Sequence, residues 1–570
     1  MAVGLSHALE PDDYILPLHR HLGVFTTRER PLERLFAQWQ GKEAGYTKGR
    51  DRSFHFGAPE HRVIGMISHL GAMLGVADGL ALAERLDGSR AIAAAFSGDG
   101  GASEGDFHEA VNIAAVWDLP VLFVIENNGY GLSTPSNEQF RCRRFIDKAV
   151  GYGIEGRRVD GNDVFDVFRT VRELAESLRE RPRPVILEAV TFRMRGHEEA
   201  SGTKYVPDEL MSLWKARDPV EALERHLLTT GIIDPSVSHA TRAAMNARID
   251  AAWDAVFELP ALEANLGQEL ADVYAVRADA PSHAVDETRS MRFVDAIREG
   301  LATAMDTDQR LVLMGQDIAD YGGVFKVTEG FVERFGAERV RNTPLCESGV
   351  LGAALGLAIA GRPCMVEMQF ADFVSCGFNQ IVNNLAKTHY RWGQPVNVTV
   401  RLPTGAGSSA GPFHSQSNEA WFAHVPGLKV VYPASAEDAK GLLLASLREP
   451  NPVLFFEHKV LYRSVEGAVP LGDVEVPLGR ARVVCSGDRA TIVTYGAGVR
   501  WALEQAKRVS GIEVIDLRTL LPWDKATVYA SLEKTNRCLV LHEDTLVGGI
   551  GAEIAADLAE NLFDCLDAPI

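Results

Sequence analysis

The chain has 570 residues, 46% hydrophobic and 24% charged, a globular composition with room for roughly three or four domains at about 150 residues each, which excludes a single small domain. Its 58 basic and 77 acidic residues leave a net charge of −19, and no Lys/Arg-rich tract interrupts that balance, so neither nucleic acid nor an anionic membrane is an expected partner. The seven cysteines are an odd number without a C-x-x-C pair, which argues against a disulfide framework and for a reducing compartment. The most apolar stretch, 350–360, falls short of the roughly 18–20 residues that span a bilayer. The start, Met1-Ala2-Val3-Gly4-Leu5-Ser6-His7, has neither the basic segment nor the long apolar core of a leader, so a cytoplasmic location is expected.

In chain order, short apolar strands alternate with helices, the pattern of a parallel α/β sheet covered on both faces. Strand 91–97 leads to helix 105–117 and strand 121–126; helix 164–179 leads to strand 185–190. An Ala- and Glu-rich helical stretch, 236–271, is broken once at Pro260, and a small, polar, Pro-containing linker covers 276–288. Helix 293–305, strand 311–314, helix 350–360, strands 396–402 and 428–432 and helix 434–447 follow. Gly and Pro recur near 465–477, marking a second boundary before strand 491–495, helix 499–508, strands 512–516 and 537–541 and helix 550–562. No short-period repeat is visible.

Strand 91–97 runs into Gly98-Asp99-Gly100-Gly101, and strand 121–126 into Asn127-Asn128-Gly129-Tyr130-Gly131. With a right-handed helical crossover between them, both loops emerge at the same sheet edge, where α/β proteins bind ligands. Asp99 then offers a carboxylate oxygen, Asn128 an amide oxygen and Tyr130 a main-chain carbonyl, hard donors of the kind Mg2+ takes beside phosphate oxygens. The glycines admit a diphosphate close to the backbone. Asp-Gly and Asn-Gly are also ordinary turns; it is the pair, 29 residues apart from Asp99 to Asn128 across one β-α-β unit, that favours the metal-diphosphate site.

These residues resemble the thiamine-diphosphate motif shared by transketolase, pyruvate decarboxylase and the decarboxylating components of 2-oxo acid dehydrogenase complexes. Ser103-Glu104-Gly105-Asp106-Phe107-His108-Glu109-Ala110 and Glu126-Asn127-Asn128-Gly129-Tyr130-Gly131-Leu132-Ser133-Thr134-Pro135 are similar to the α subunit of the pyruvate and branched-chain enzymes. Beyond the linker, Gly315-Gln316-Asp317, Tyr321-Gly322-Gly323-Val324-Phe325, Gln369-Phe370-Ala371-Asp372-Phe373 and His414-Ser415-Gln416-Ser417 are similar to the β subunit, the last two runs most of all to the branched-chain type. The resemblance covers nearly the whole chain and implies an α–β fusion: a diphosphate and metal domain at 1–275, a linker at 276–288, a pyrimidine domain at 289–470, and a transketolase C-terminal-like domain at 471–570. The two cofactor halves would then come from the first and second segments, with the active site between them.

Thiamine diphosphate reacts as a carbanion that forms once a carboxylic acid exchanges a proton with its aminopyrimidine. Glu347, just before the apolar stretch 350–360, is the candidate acid, because apolar surroundings raise a carboxyl pKa. A helix N-terminus favours an acid in any case, and the residues alone leave the two readings even; the resemblance implies catalysis. A loop histidine is most often merely solvated, yet the resemblance makes His197 and His414 the active-site pair, the first to hold and protonate the cofactor adduct, the second to orient the substrate carboxylate or assist acyl transfer. It also implies that Arg20 and Arg193 clamp the diphosphate, that Ser68 and Leu70 support the aminopyrimidine and that Phe373 stacks on it with Gln369 nearby. Ordinary core packing is the competing reading for Leu70 and Phe373.

Several positions depart from the family pattern. Glu198 stands where mammalian relatives carry a regulatory serine; His19, among the cofactor-binding positions, replaces a tyrosine common in branched-chain enzymes and is shared with acetoin-cleaving relatives; Ala72 and Met73 replace a potassium-binding Thr-Gln pair. Both ends fall inside the family's length, so a shortened third domain with an oligomer interface or reduced stability is expected. The implied function is oxidative decarboxylation of a 2-oxo acid, branched-chain by preference, with acyl transfer to a lipoyl-bearing dihydrolipoyl acyltransferase core, by a homodimer equivalent to an α2β2 tetramer. Alternatives are pyruvate or acetoin as substrate, a transketolase-type enzyme, or a non-catalytic complex-binding relative.

Overall fold

The sheet of the first half shows how the loops of interest come to lie together. In the computed structural model, which describes residues 1–29, 31–51, 55–278 and 287–570, strands Tyr14–Leu16, Ala93–Gly98, Val121–Asn127, Val185–Val190 and Glu155–Asp160 form, in that spatial order, one fully parallel sheet. The central three are buried over nearly their whole length, which explains their continuous apolar runs. Glu155–Asp160, absent from the sequence expectations, is an edge strand whose charged Glu-Gly-Arg-Arg start faces outward.

Helix Ala72–Leu86 was also not expected. All its residues from Ala72 to Glu84 are buried, and it packs on helix Gly105–Val116 and on strand Ala93–Gly98. Its apolar run is interrupted by Asp78 and Gly79 and ends in Glu84 and Arg85, which masks it as a buried helix, and its start is marked only by Gly71 at φ +82°. The expected helix over 236–271 is helical over Pro235–Phe257 and again over Leu266–Ala271, irregular between; Pro260 falls in that interval.

The chain divides into two compact units, Met1–Glu269 and Leu270–Ile570. Residues 279–286 of the expected linker lie outside the described residues. In the second unit, strands Val340–Asn342, Val312–Gly315, Cys364–Glu367, Val398–Thr404, Val453–His458 and Lys429–Val431 form a parallel sheet, extended at its edge by the antiparallel strand Thr519–Leu521. A ribbon of Thr288–Arg292 against Glu466–Pro470 flanks it. A smaller sheet follows, with Arg482–Cys485, Ile512–Asp516, Ala490–Thr494 and Cys538–Leu541 in that order, parallel except for the first strand. The fold is thus α/β, with two parallel-sheet domains and a third, smaller α/β domain. The seven cysteines are free, and no described helix is long and apolar enough to cross a membrane.

Candidate functional site

In the first unit the two glycine-rich loops touch. Gly98 is the last residue of its strand and pairs in register with Glu126 of the neighbour, so Asp99 and Asn128 leave the same edge one or two residues later. The contact is backbone on backbone: a Cβ added at Gly100 would lie 2.8 Å from Cα of Gly131, and one at Gly101 would lie 2.8 Å from Ser97 Oγ. Asp99, 1% exposed, accepts from the Gly100 N–H at 3.1 Å and from the Ser136 hydroxyl at 2.6 Å. Burial pushes its carboxyl pKa up, against these hydrogen bonds. Asn128 Oδ1 accepts the Tyr130 N–H at 3.1 Å. Each of these oxygens keeps a second lone pair, so Asp99, Asn128 and the Tyr130 carbonyl can present three oxygens to one hard cation. Among the described residues no group of three or more His, Cys, Asp or Glu could hold a metal ion; a cation here would draw on one carboxylate, neutral oxygens and the anion it accompanies.

Beside these loops lies a cavity of about 860 Å³, lined by His19, Arg20, Ser68, Leu70, Arg193 and His197. Leu70 Cβ comes within 3.4 Å of a Cβ built on Gly101, so cavity and loops are continuous, and Leu70, 41% exposed, is a lining residue and not core. Arg20 Nη2 donates to His197 Nδ1 at 3.1 Å and to the His197 carbonyl at 2.5 Å; with Nδ1 accepting, the ring proton sits on Nε2. Burial, then the neighbouring Arg20 and Arg193, pulls the His197 pKa down. The His19 ring meets that of His197 edge-on at 6.0 Å, and burial followed by Arg20 lowers its pKa to about 4. Arg193 bonds the Leu132 carbonyl and, at 2.8 Å, the Tyr205 hydroxyl, which aims it from the strand end Val190 into the cavity.

Sequence reasoning missed the residues that hold this arrangement. The Leu18 N–H donates to His21 Nδ1 at 3.0 Å, and His21 Nε2 lies 2.9 Å from a Glu126 carboxylate oxygen; the turn that carries His19 and Arg20 thereby packs against the end of the strand that leads to Asn128. Its signal was the alternation His19-Arg20-His21. His55, which also lines the cavity, and Ser136 gave none.

In the second unit, Gly315 pairs with Glu367 on one side and Asn342 on the other, so three chain segments leave the sheet together. Glu347 is the first residue of helix Glu347–Ile359; the expected helix start at 350 is corrected by three residues, because the first turn carries Ser348 and Gly349, which lack an apolar signature. Glu347 is half-buried and accepts from Gln316 Nε2 at 3.1 Å. Next to it, Gln369 Nε2 donates to Asp317 Oδ2 at 3.0 Å. His414 stands edge-on to Phe370 at 4.9 Å and to Phe373 at 5.6 Å, two aromatic walls that fix the imidazole plane. Phe373 is half-buried and belongs to the segment Ala371–Gly377, which packs on helix Glu347–Ile359. Each unit therefore gathers its own sequence-predicted residues at the carboxyl edge of a parallel sheet.

The first unit presents arginines and glycine-backed loops at its sheet edge, and the second a carboxyl held by Gln316 and a histidine between two phenylalanines. Comparison with known families agrees with that division: residues 1–265 match the dehydrogenase E1 component, 289–465 the transketolase pyrimidine binding domain and 479–570 the transketolase C-terminal domain. Among similar proteins, the 2-oxoisovalerate dehydrogenase subunit beta 2 of Arabidopsis thaliana is 48% identical over 290 residues, 50% of this chain and 80% of that protein. The 2-oxoisovalerate dehydrogenase subunit beta of Bacillus subtilis is 45% identical over 288 residues, 49% of this chain and 88% of the relative. A pyruvate dehydrogenase E1 component subunit beta of Staphylococcus epidermidis is 41% identical over 286 residues, 49% and 88% of the two chains. The chain belongs to the thiamine-diphosphate-dependent 2-oxo acid dehydrogenases, with E1-type and transketolase-type domains joined in one polypeptide.

Proposed function

We propose that this enzyme decarboxylates a branched-chain 2-oxo acid such as 3-methyl-2-oxobutanoate and passes the acyl group to the lipoyl arm of a dihydrolipoyl acyltransferase, acting as a homodimer. The observation that carries the substrate choice is the higher identity to the two 2-oxoisovalerate relatives, 48% and 45%, than to the pyruvate relative, 41%. His19 keeps pyruvate or acetoin as the second reading, since a polar imidazole stands in the cavity of the first unit. The fit of thiamine diphosphate rests on the donor set: Arg20 and Arg193 at one cavity, and glycines whose Cβ atoms would collide with neighbouring residues.

When bound, the thiazolium ring supplies the electron sink for decarboxylation. Arg20 and Arg193 would hold the diphosphate as planar donors, with Gly100 and Gly101 leaving room for it near the backbone. Asp99, Asn128 and the Tyr130 carbonyl would hold Mg2+, the hard ion their oxygens favour. His19, Ser68 and Leu70 shape the cavity around the cofactor. Glu347, oriented by Gln316, would be the acid that gives and takes a proton at the aminopyrimidine, and Phe373 and Gln369 would line that ring's site. His197, its Nδ1 engaged by Arg20, offers its Nε2 proton; His414, walled by Phe370 and Phe373, orients the substrate carboxylate or assists acyl transfer. Titration calorimetry tests the cofactor assignment: thiamine diphosphate binds with Mg2+ present and binds at least about tenfold more weakly in Asp99→Ala. Unchanged affinity would refute the metal assignment.

A further inference from the structure

None of the residues assigned above belongs to the C-terminal domain, yet two of its side chains reach the loop that carries His414. That loop leaves strand Val398–Thr404 and returns at Glu419, the residue before helix Ala420–Ala423. Its tip, from Gly407 to Phe413, is exposed; its return side is held by the Gln416 N–H donating to Asp372 Oδ1 at 3.1 Å and Asn418 Nδ2 donating to the Ala371 carbonyl at 3.0 Å, beside the Phe370 and Phe373 walls, so the outgoing neck and the base at Glu419 are where other elements can set its direction. The neck is closed by the Gly405 N–H and the Thr404 hydroxyl, which both donate to the Gln416 carbonyl, at 3.2 and 3.0 Å.

At the first shoulder, the Ala406 N–H donates to Glu543 Oε1 at 3.1 Å, and Glu543 Oε2 accepts from His458 Nε2 at 2.6 Å. The Val460 N–H donates to His458 Nδ1 at 3.2 Å, which places the ring proton on Nε2 and aims it at Glu543. His458 pairs with Thr404 in the sheet, and a Cβ at Gly405 would sit 2.3 Å from His458 Nε2, so the loop passes directly over this hydrogen bond. Glu543 itself follows strand Cys538–Leu541 by two residues. At the second shoulder, the Tyr495 hydroxyl, one residue beyond strand Ala490–Thr494, donates to Glu419 Oε1 at 2.8 Å. Both contacts are made by buried or half-buried side chains at the carboxyl ends of C-terminal-domain strands, and each ends within five residues of His414 or at the loop's neck.

We propose that Glu543 and Tyr495 are positioning residues for His414, through which the C-terminal domain holds the loop in its working orientation. The inference rests on the reading of His414 as an active-site group. A charge-assisted hydrogen bond at one shoulder and a buried hydroxyl-carboxyl bond at the other restrict the loop where it has no packing of its own. Misplacing a reacting group by about 1 Å costs up to about 100-fold in rate, so the effect belongs in kcat.

The test uses the full chain with thiamine diphosphate and Mg2+ and compares Glu543→Ala, Glu543→Gln and Tyr495→Phe by hydrogen exchange across 405–416 and by steady-state decarboxylation of 3-methyl-2-oxobutanoate with an artificial electron acceptor. In Glu543→Ala, exchange over 405–416 rises about tenfold or more while strands such as Val312–Gly315 are unaffected, and kcat falls about 10- to 100-fold with thiamine diphosphate affinity retained. Glu543→Gln, whose amide oxygen can still accept from Ala406 but whose NH2 then faces the His458 Nε2 proton, recovers kcat only in part and lies between wild type and Glu543→Ala, and Tyr495→Phe moves exchange and kcat in the same direction as Glu543→Ala. Faster exchange with unchanged kcat would show that the loop is held but that His414 is not the group it serves, and so overturn the role through the reading beneath it. Unchanged exchange overturns the clamp itself. If Glu543→Ala does not fold, Tyr495→Phe decides: a wild-type exchange pattern and kcat contradict the proposal.

Discussion

Glu347 and Gln316 carry the sharpest prediction at the scale of single residues. They are 31 positions apart and 3.1 Å in space, because Gln316 follows a strand end whose neighbour leads to the helix that Glu347 begins. Glu347→Gln preserves shape and removes only the exchangeable acid, so kcat is expected to fall about 100-fold or more while calorimetric affinity for thiamine diphosphate stays within a few-fold; kcat within threefold of wild type would contradict the assignment. Gly100 offers an independent check. With its Cβ 2.8 Å from the Gly131 backbone, Gly100→Ala forces the two loops apart, and calorimetry is expected to show Mg2+-dependent cofactor binding weakened about tenfold or more. That the loops of Asp99 and Asn128 leave one sheet edge was legible in the sequence, because each follows an apolar strand directly. The Arg20–His197 contact was not, because its partners are 177 residues apart and only the fold reveals their pairing, and the His21–Glu126 tie was hidden for the same reason.

At the scale of elements, helix Glu347–Ile359 could be read from its apolar run, whereas Ala72–Leu86 could not, and the second holds a feature with a measurable consequence. Asp78 is fully buried in that helix with no hydrogen-bond partner on either carboxyl oxygen among the described residues, and burial raises its pKa well above the ordinary value. A polar carboxyl buried without a partner costs stability, so Asp78→Val is expected to raise stability in urea unfolding by about 1–3 kcal/mol; a loss of stability would contradict that reading of Asp78. Glu419 gives a pH dependence with a definite sign. Burial raises its pKa from 4.5 to about 7, with Asp544 adding to the shift. Because the folded value is the higher one, its contribution is full below about pH 4.5 and is lost as the pH climbs through about 7, a decline of about 3 kcal/mol. Urea midpoints measured from pH 4.5 to 8 should fall across that window, and Glu419→Gln should flatten the fall; an identical slope would contradict the assignment of the titration to this group.

At the scale of the molecule, alternating strand and helix made the class legible from sequence, because buried parallel strands read as uninterrupted apolar runs. The edges were less so: strand Thr519–Leu521 comes from the C-terminal segment, yet it pairs antiparallel with Lys429–Val431 on the preceding domain's sheet. Three residues carry no pattern, and their pairing is a tertiary fact. The functional account draws on both compact units, with the proposed diphosphate-binding residues in one and the proposed proton-exchanging residue in the other. Dialysis against a chelator should therefore abolish activity, and recovery should need both thiamine diphosphate and Mg2+. The most direct test is a substrate panel with an artificial electron acceptor, run with and without added thiamine diphosphate and Mg2+. The account predicts decarboxylation that depends on both additions and is faster with 3-methyl-2-oxobutanoate than with pyruvate; pyruvate turned over much faster would overturn the substrate assignment, and no cofactor-dependent decarboxylation of any 2-oxo acid would contradict the account as a whole.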